Sequence, residues 1–184
     1  MKNKIIAYEL SGIDNHSYFY ECAPKETFCS TCHSCINYQY YPNNFHIKNK
    51  ADFSFAYDGG PPIISAKFKY FIENLGYPIQ FDCLNPEGSL FTLIPEKKLT
   101  YLAMQQSEYC NKCNQYVNQI APIPNFSNEI QLPISDGFFR SDMKFGSGIE
   151  KGFIVILGVN TGNLIKKAQK ELKLRGLDLI PITL

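Results

Sequence analysis

Cys29-Ser30-Thr31-Cys32 and Cys110-Asn111-Lys112-Cys113 are two copies of one short pattern, Cys-x-x-Cys, placed far apart in the chain. Two residues between thiolates let both sulfurs of a tight turn reach the same ion. Two such pairs make a four-thiolate set that suits tetrahedral Zn²⁺. The second pair must fold back onto the first, closing a loop of roughly seventy-five residues, so a bound metal would pin distant parts of the chain together. The spacing predicts Cys29, Cys32, Cys110 and Cys113 as ligands of a structural zinc.

A third cysteine complicates the first pair. Cys32 and Cys35 have the same spacing, and Cys32-x-x-Cys35-x-x-Tyr38 matches Cys110-x-x-Cys113-x-x-Tyr116. A metal knuckle needs a residue at positive φ just after its second cysteine, and Gly, Asn and His accept that conformation most readily. Cys32 is followed by His33 and Cys113 by Asn114, whereas Cys35 is followed by the β-branched Ile36. Strain therefore favours Cys29 and Cys32 over a pair that uses Cys35. His33 is a further possible ligand, but next to Cys32 it would point away. A redox dithiol is the other use of Cys-x-x-Cys, and no thioredoxin-like context precedes either pair. Four thiolates leave no open position for water, which argues against catalytic zinc. Cys22 and Cys83 are expected to be small buried apolar residues.

The 184 residues, 45% hydrophobic and 14% aromatic with no Trp, suffice for a packed core. They are read as a single domain, 1–184, with weakly repeated halves of about 1–104 and 105–184 joined by the four-cysteine site. Lys plus Arg is 18 against 17 for Asp plus Glu, which argues against a nucleic-acid-coating protein. Neither a signal-peptide core nor an apolar run of membrane-span length is visible, so a cytoplasmic protein without membrane association is expected. In a reducing compartment seven cysteines favour metal over disulfides.

Residues 4–10 and the aromatic 17–21 are expected strands, separated by a turn at 12–15. Residues 22–44 read as an irregular metal knuckle. Residues 51–57 alternate, and Asp58-Gly59-Gly60-Pro61-Pro62 is expected to break the chain. Ser65 suits an N-cap for a helix carrying Phe68, Phe71, Ile72 and Leu75 on one face, stopped by Gly76. Strands are expected at 79–84, 90–94 and 99–104, the last approaching the second cysteine pair. Residues 121–133, with three prolines, read as a connector. Residues 153–157 form a buried strand, 160–163 a turn and helix start, and 164–174 a helix with Leu164, Ile165, Ala168 and Leu172 inward. Gly176 closes it before a terminal strand at 177–182. Strand, Gly-stopped helix and strand thus occur twice, a weak internal repeat. Gly59-Gly60 and Gly146-Ser147-Gly148 fit no phosphate loop. No catalytic constellation stands at informative spacing.

Taken together, the two cysteine pairs, Ile63-Ile64-Ser65-x-Lys67-Phe68 leading to Leu75-Gly76, Phe138-Phe139-Arg140, and Arg175-Gly176-Leu177 before the last strand resemble the double-CXXCG-motif proteins and related immunity proteins of bacterial polymorphic toxin systems. The pattern covers most of the chain from Cys29 onward. It departs from the family at the residue after each pair, where His33 and Asn114 replace Gly. The resemblance implies a non-enzymatic, cytoplasmic protein that binds and neutralises a cognate toxin, with a structural zinc. The alternative is a zinc-ribbon module that binds nucleic acid or a transcription partner. The expected fold is α+β: a mixed β-sheet with two strand–helix–strand units and a zinc-ribbon-like knuckle pair.

Overall fold

The computed structural model describes residues 4–126 and 130–183. The elements in order are β1 (Ile5–Asp14), β2 (Phe53–Ala56), β3 (Gly59–Ser65), α1 (Ala66–Glu73), β4 (Ile79–Gln80), β5 (Leu90–Thr92), β6 (Ile94–Pro95), β7 (Lys98–Leu99), β8 (Tyr101–Cys110), β9 (Gln115–Pro124), β10 (Phe138–Ser141), β11 (Gly146–Ser147), β12 (Val155–Leu157), α2 (Val159–Glu171) and β13 (Leu177–Thr183). The fold is α+β, built mostly of strands, with a mixed sheet and two helices. No described helix is long and apolar enough to cross a membrane.

The main sheet runs β5-β3-β2-β1-β12-β10-β7, with β13 also paired to β1. β1 is therefore its spine. It pairs antiparallel with β12 through residues 8–10, antiparallel with β13 along most of its length, and parallel with β2 at Ile13 and Asp14. Early and late parts of the chain share one sheet. The two expected strand–helix–strand units differ in their pairing. α2 joins β12 and β13, both antiparallel to β1, whereas α1 joins β3 of the main sheet to β4, which among the described residues forms a separate two-stranded sheet with β6.

β12 explains why this sheet is stable. Its three residues are all buried, and successive side chains enter different clusters. Val155 and Leu157 join Phe53, Phe68, Ile72 and Ile165 beneath the helices, while Ile156 joins Leu99, Tyr101, Phe126 and Phe139 on the other side. A continuous apolar run is what a strand covered on both faces requires. A third cluster, with Phe19, Tyr20, Cys35, Phe45, Leu84 and Leu90, packs the cysteine segment against the sheet.

Several local expectations are overturned. Residues 12–14 are not a turn but the end of β1, and 17–21 are an irregular stretch entering a turn, not a strand. Gly12 is glycine because a Cβ there would sit 2.5 Å from the Phe53 ring. The chain does not break at 59–62. It reverses at Tyr57 and Asp58, and β3 runs through both glycines and both prolines. Gly59 has φ +90, and any Cβ would meet the Ile149 carbonyl. The expected strand at 79–84 is reduced to β4 and an isolated bridge from Cys83 to Phe91. Residues 121–124 belong to β9 and not to a connector. α2 starts at Val159, so residues 160–163 are the expected helix start, with no separate turn before it. Its buried face is Thr161, Gly162, Ile165 and Ala168, while Leu164 and Leu172 are exposed. Gly162 lets the helix lie directly on the Tyr8 ring, 2.3 Å from where a Cβ would be.

The Ser65 cap is present. Its Oγ accepts from the Phe68 N–H at 3.2 Å and donates to Asp52 Oδ1 at 2.7 Å. Asp52 also accepts from the Arg175 N–H at 2.9 Å and pairs with Lys67 at 3.1 Å, so one buried carboxylate ties the start of α1 to the chain after α2. Ser65→Ala removes the cap and one Asp52 donor, and should cost about 1–2 kcal/mol in urea denaturation. An unchanged midpoint would show that the cap is redundant.

Candidate metal centre

The two cysteine pairs are presented by turns built alike. In the first, the His33 N–H donates to the Cys29 carbonyl at 2.9 Å, and the Cys29 N–H to the Ser34 carbonyl at 2.9 Å. In the second, the Asn114 N–H donates to the Cys110 carbonyl at 2.9 Å, and Cys110 pairs with Gln115 where β8 and β9 meet. Both turns close through a left-handed residue, His33 at φ 59 and Asn114 at φ 55. These are the two residues whose chemistry tolerates that conformation.

The turns meet face to face. The four Sγ atoms of Cys29, Cys32, Cys110 and Cys113 lie within 4.8 Å of one another. Cys29 Sγ is 3.8 Å from Cys110 Sγ, and Cys32 Sγ is 3.5 Å from Cys113 Sγ. All four are free thiols. A tetrahedral ion with metal–sulfur bonds of about 2.3 Å needs sulfurs about 3.8 Å apart, so the cluster has the right size to hold a metal ion. Neither His33 nor Cys35 belongs to the set. Cys35 is buried in the third hydrophobic cluster, where its thiol donates to the Asn37 carbonyl at 3.6 Å. Cys22 and Cys83, expected to be buried, are exposed: Cys22 lies in an irregular turn, and Cys83 only bridges Phe91 at the edge of the main sheet.

Contacts outside the cluster hold the two turns in register. Lys112 Nζ donates to Ser30 Oγ at 2.5 Å, linking one turn to the other. Gln115 accepts from the Tyr38 hydroxyl at 3.2 Å and donates to the Cys35 carbonyl at 3.3 Å. Lys151 Nζ donates to Gln115 Oε1 at 3.2 Å and to the Tyr116 carbonyl at 2.6 Å. The first turn is thereby fixed to the tip of a ribbon whose two strands are each ten residues long.

The electrostatics ask for a cation. Backbone N–H groups of Cys32 and Thr31 lower the Cys29 thiol from its usual range. Burial works against ionising Cys32, but hydrogen bonds from the Ser34 hydroxyl and backbone, helped by the Cys113 and Cys110 thiols, bring it down to about 6. Apart from that sulfur, the buried Ser34 hydroxyl has no hydrogen-bond partner among the described residues. Cys113 goes the other way, pushed up to about 12 by burial and by the Cys32, Cys110 and Cys29 thiols around it. Four neighbouring thiolates repel, so all four can be ionised together only around a positive ion. Metal loading at neutral pH is therefore expected to release protons, detectable as a buffer-dependent heat in calorimetry, and bound metal should be lost on acidification. Loading with no proton release would contradict this arrangement.

Compared with protein-family models, curated proteins and solved structures, the chain matches none.

Proposed function

We propose that the chain is a zinc-stabilised immunity protein that binds a cognate bacterial toxin one-to-one and blocks it. The metal part rests on one observation: four thiols converge at tetrahedral spacing. A soft, all-sulfur tetrahedral set selects Zn²⁺ among common ions and, with four protein ligands, has no vacancy for a substrate or water. The zinc is then a clasp, and function lies on a surface that the clasp supports. A set of reduced thiols suits the cytoplasm.

The toxin-binding part rests on the family resemblance of the motifs. A binding role is further supported by the ribbon of β8 and β9. Leu102 is paired with Ile123 across the ribbon, and Met104, two residues along from Leu102, is 75% exposed. Three neighbouring apolar side chains in water are what a partner would cover.

The test is co-purification with the C-terminal domain of a large toxin encoded beside this gene. A stable one-to-one complex, with relief of toxicity on co-expression, is the expected result. Failure to form that complex sinks the immunity reading, and salt-dependent binding to DNA or RNA in its place would favour a zinc-ribbon module.

A further inference from the structure

Between the cysteine segment and the main sheet lies a cavity of about 540 Å³. That volume falls within the range of small-molecule sites, about 300–1,000 Å³. Tyr38, Tyr40, Tyr41 and Phe153 line it, together with two cations, Arg140 and Lys144. The tyrosines follow the first cysteine turn, and the Tyr38 hydroxyl is anchored on Gln115, so the clasp also sets this aromatic wall.

Among the described residues neither cation is in an ion pair with a carboxylate. Arg140 is held by neutral groups: its Nε–H donates to the Pro95 carbonyl at 3.0 Å, and its guanidinium lies 5.5 Å from the Phe153 ring centre. Lys144 Nζ sits over the Tyr38 ring, 2.9 Å from its centre. Burial holds Lys144 down at about 8; Cys35 opposes this, while the charges of Arg140 and Lys151 push the same way. Positive charge is thus collected beside a cavity without a carboxylate partner among the described residues, which costs stability unless an anion is received there.

We propose that this cavity binds a small planar organic anion, with a phosphate or carboxylate on Arg140 and Lys144 and a flat ring among Tyr38, Tyr40 and Tyr41. A guanidinium fixed at Nε presents its remaining N–H groups as a fork for an oxyanion, and a lysine adds a point charge. Tyrosine rings stack on a flat ring and bring hydroxyl donors to its edge. The site is independent of the toxin-binding reading.

Isothermal titration of the full chain with AMP and with 4-hydroxybenzoate separates the two head groups. Adenosine and inorganic phosphate remove the head and the ring in turn. Saturable binding of AMP or 4-hydroxybenzoate with Kd below about 1 mM is expected, weakened at least about tenfold for the partial ligands. Lys144→Met and Arg140→Gln should each weaken it by about tenfold or more, the cost of losing one charged contact. Because Arg140 also holds Pro95, Lys144→Met decides the matter if Arg140→Gln does not fold. No saturable binding of either probe overturns the proposal, as does binding that Lys144→Met leaves unchanged.

Discussion

Cys110→Ser should abolish metal retention and destabilise the fold by several kcal/mol, because the binding free energy of a structural metal is folding free energy. Cys110 is buried at the end of β8, where the ribbon turns, and it faces Cys29 at 3.8 Å. A hydroxyl there leaves three thiols around a site that needs four, and the ribbon tip loses its hold on the first turn. Two controls separate this effect from loss of a sulfur in general. Cys83 is exposed, so Cys83→Ser should leave both stability and metal content unchanged. Cys35 is buried among Phe19, Tyr20 and Phe45, so Cys35→Ser should lower stability while metal content is kept. Equal metal loss in Cys35→Ser and Cys110→Ser would place the ligand set wrongly.

Phe68→Ala should cost about 3–5 kcal/mol, the range for emptying a buried aromatic site. Phe68 is fully buried on the inner face of α1. Its ring stands edge-on to Phe53 of β2 at 6.4 Å and stacks with Phe71 at 6.5 Å. The same cluster holds Leu157 of β12 and Ile165 of α2, so the cavity would open where both helices meet the sheet. The neighbouring Ser65→Ala acts only on the helix end and should cost less. Thermal or urea denaturation ranks the two, and a smaller loss for Phe68→Ala than for Ser65→Ala would contradict this account of the core.

What was legible in the chain is what is decided locally. The cysteine spacing, the positive-φ residues His33 and Asn114, the Ser65 cap, and Gly76 after α1 each act within a few residues, and all appear in the fold. Gly176 does not close α2: the left-handed residue there is Lys173 at φ 52, and a Cβ on Gly176 would lie 2.7 Å from the Phe53 carbonyl. The four sulfurs could be brought together on paper because a metal knuckle of this kind needs only two short turns. What was missed depends on distant partners. Gly12 reads as a turn, yet the ring of Phe53, far along the chain, makes it a packing site inside β1. Pro122 and Pro124 read as a connector, yet they pair with Ala103 and Tyr101. β11 covers β9 only at residues 118–119, so the outer edge beyond it is open to residues that lack an N–H. On α2 Ile165 and Ala168 face inward as expected, but Leu164 and Leu172 do not. Tyr8 leaves room only for Gly162, which rotates Thr161 inward and Leu164 outward. Thr161 is held there by hydrogen bonds: its hydroxyl accepts from the Gly137 N–H at 2.8 Å and bonds the Tyr77 hydroxyl at 3.0 Å. The aromatic cavity gave no signal either, since Tyr38, Arg140 and Phe153 come together only through the fold.

The central claim is that a metal clasp joins the first cysteine turn to the ribbon. Elemental analysis of protein purified without added metal, followed by denaturation before and after treatment with a strong chelator, tests it most directly. The account predicts about one zinc per chain and a stability loss of several kcal/mol when it is stripped. Metal-free protein whose stability is unaffected by the chelator would contradict it.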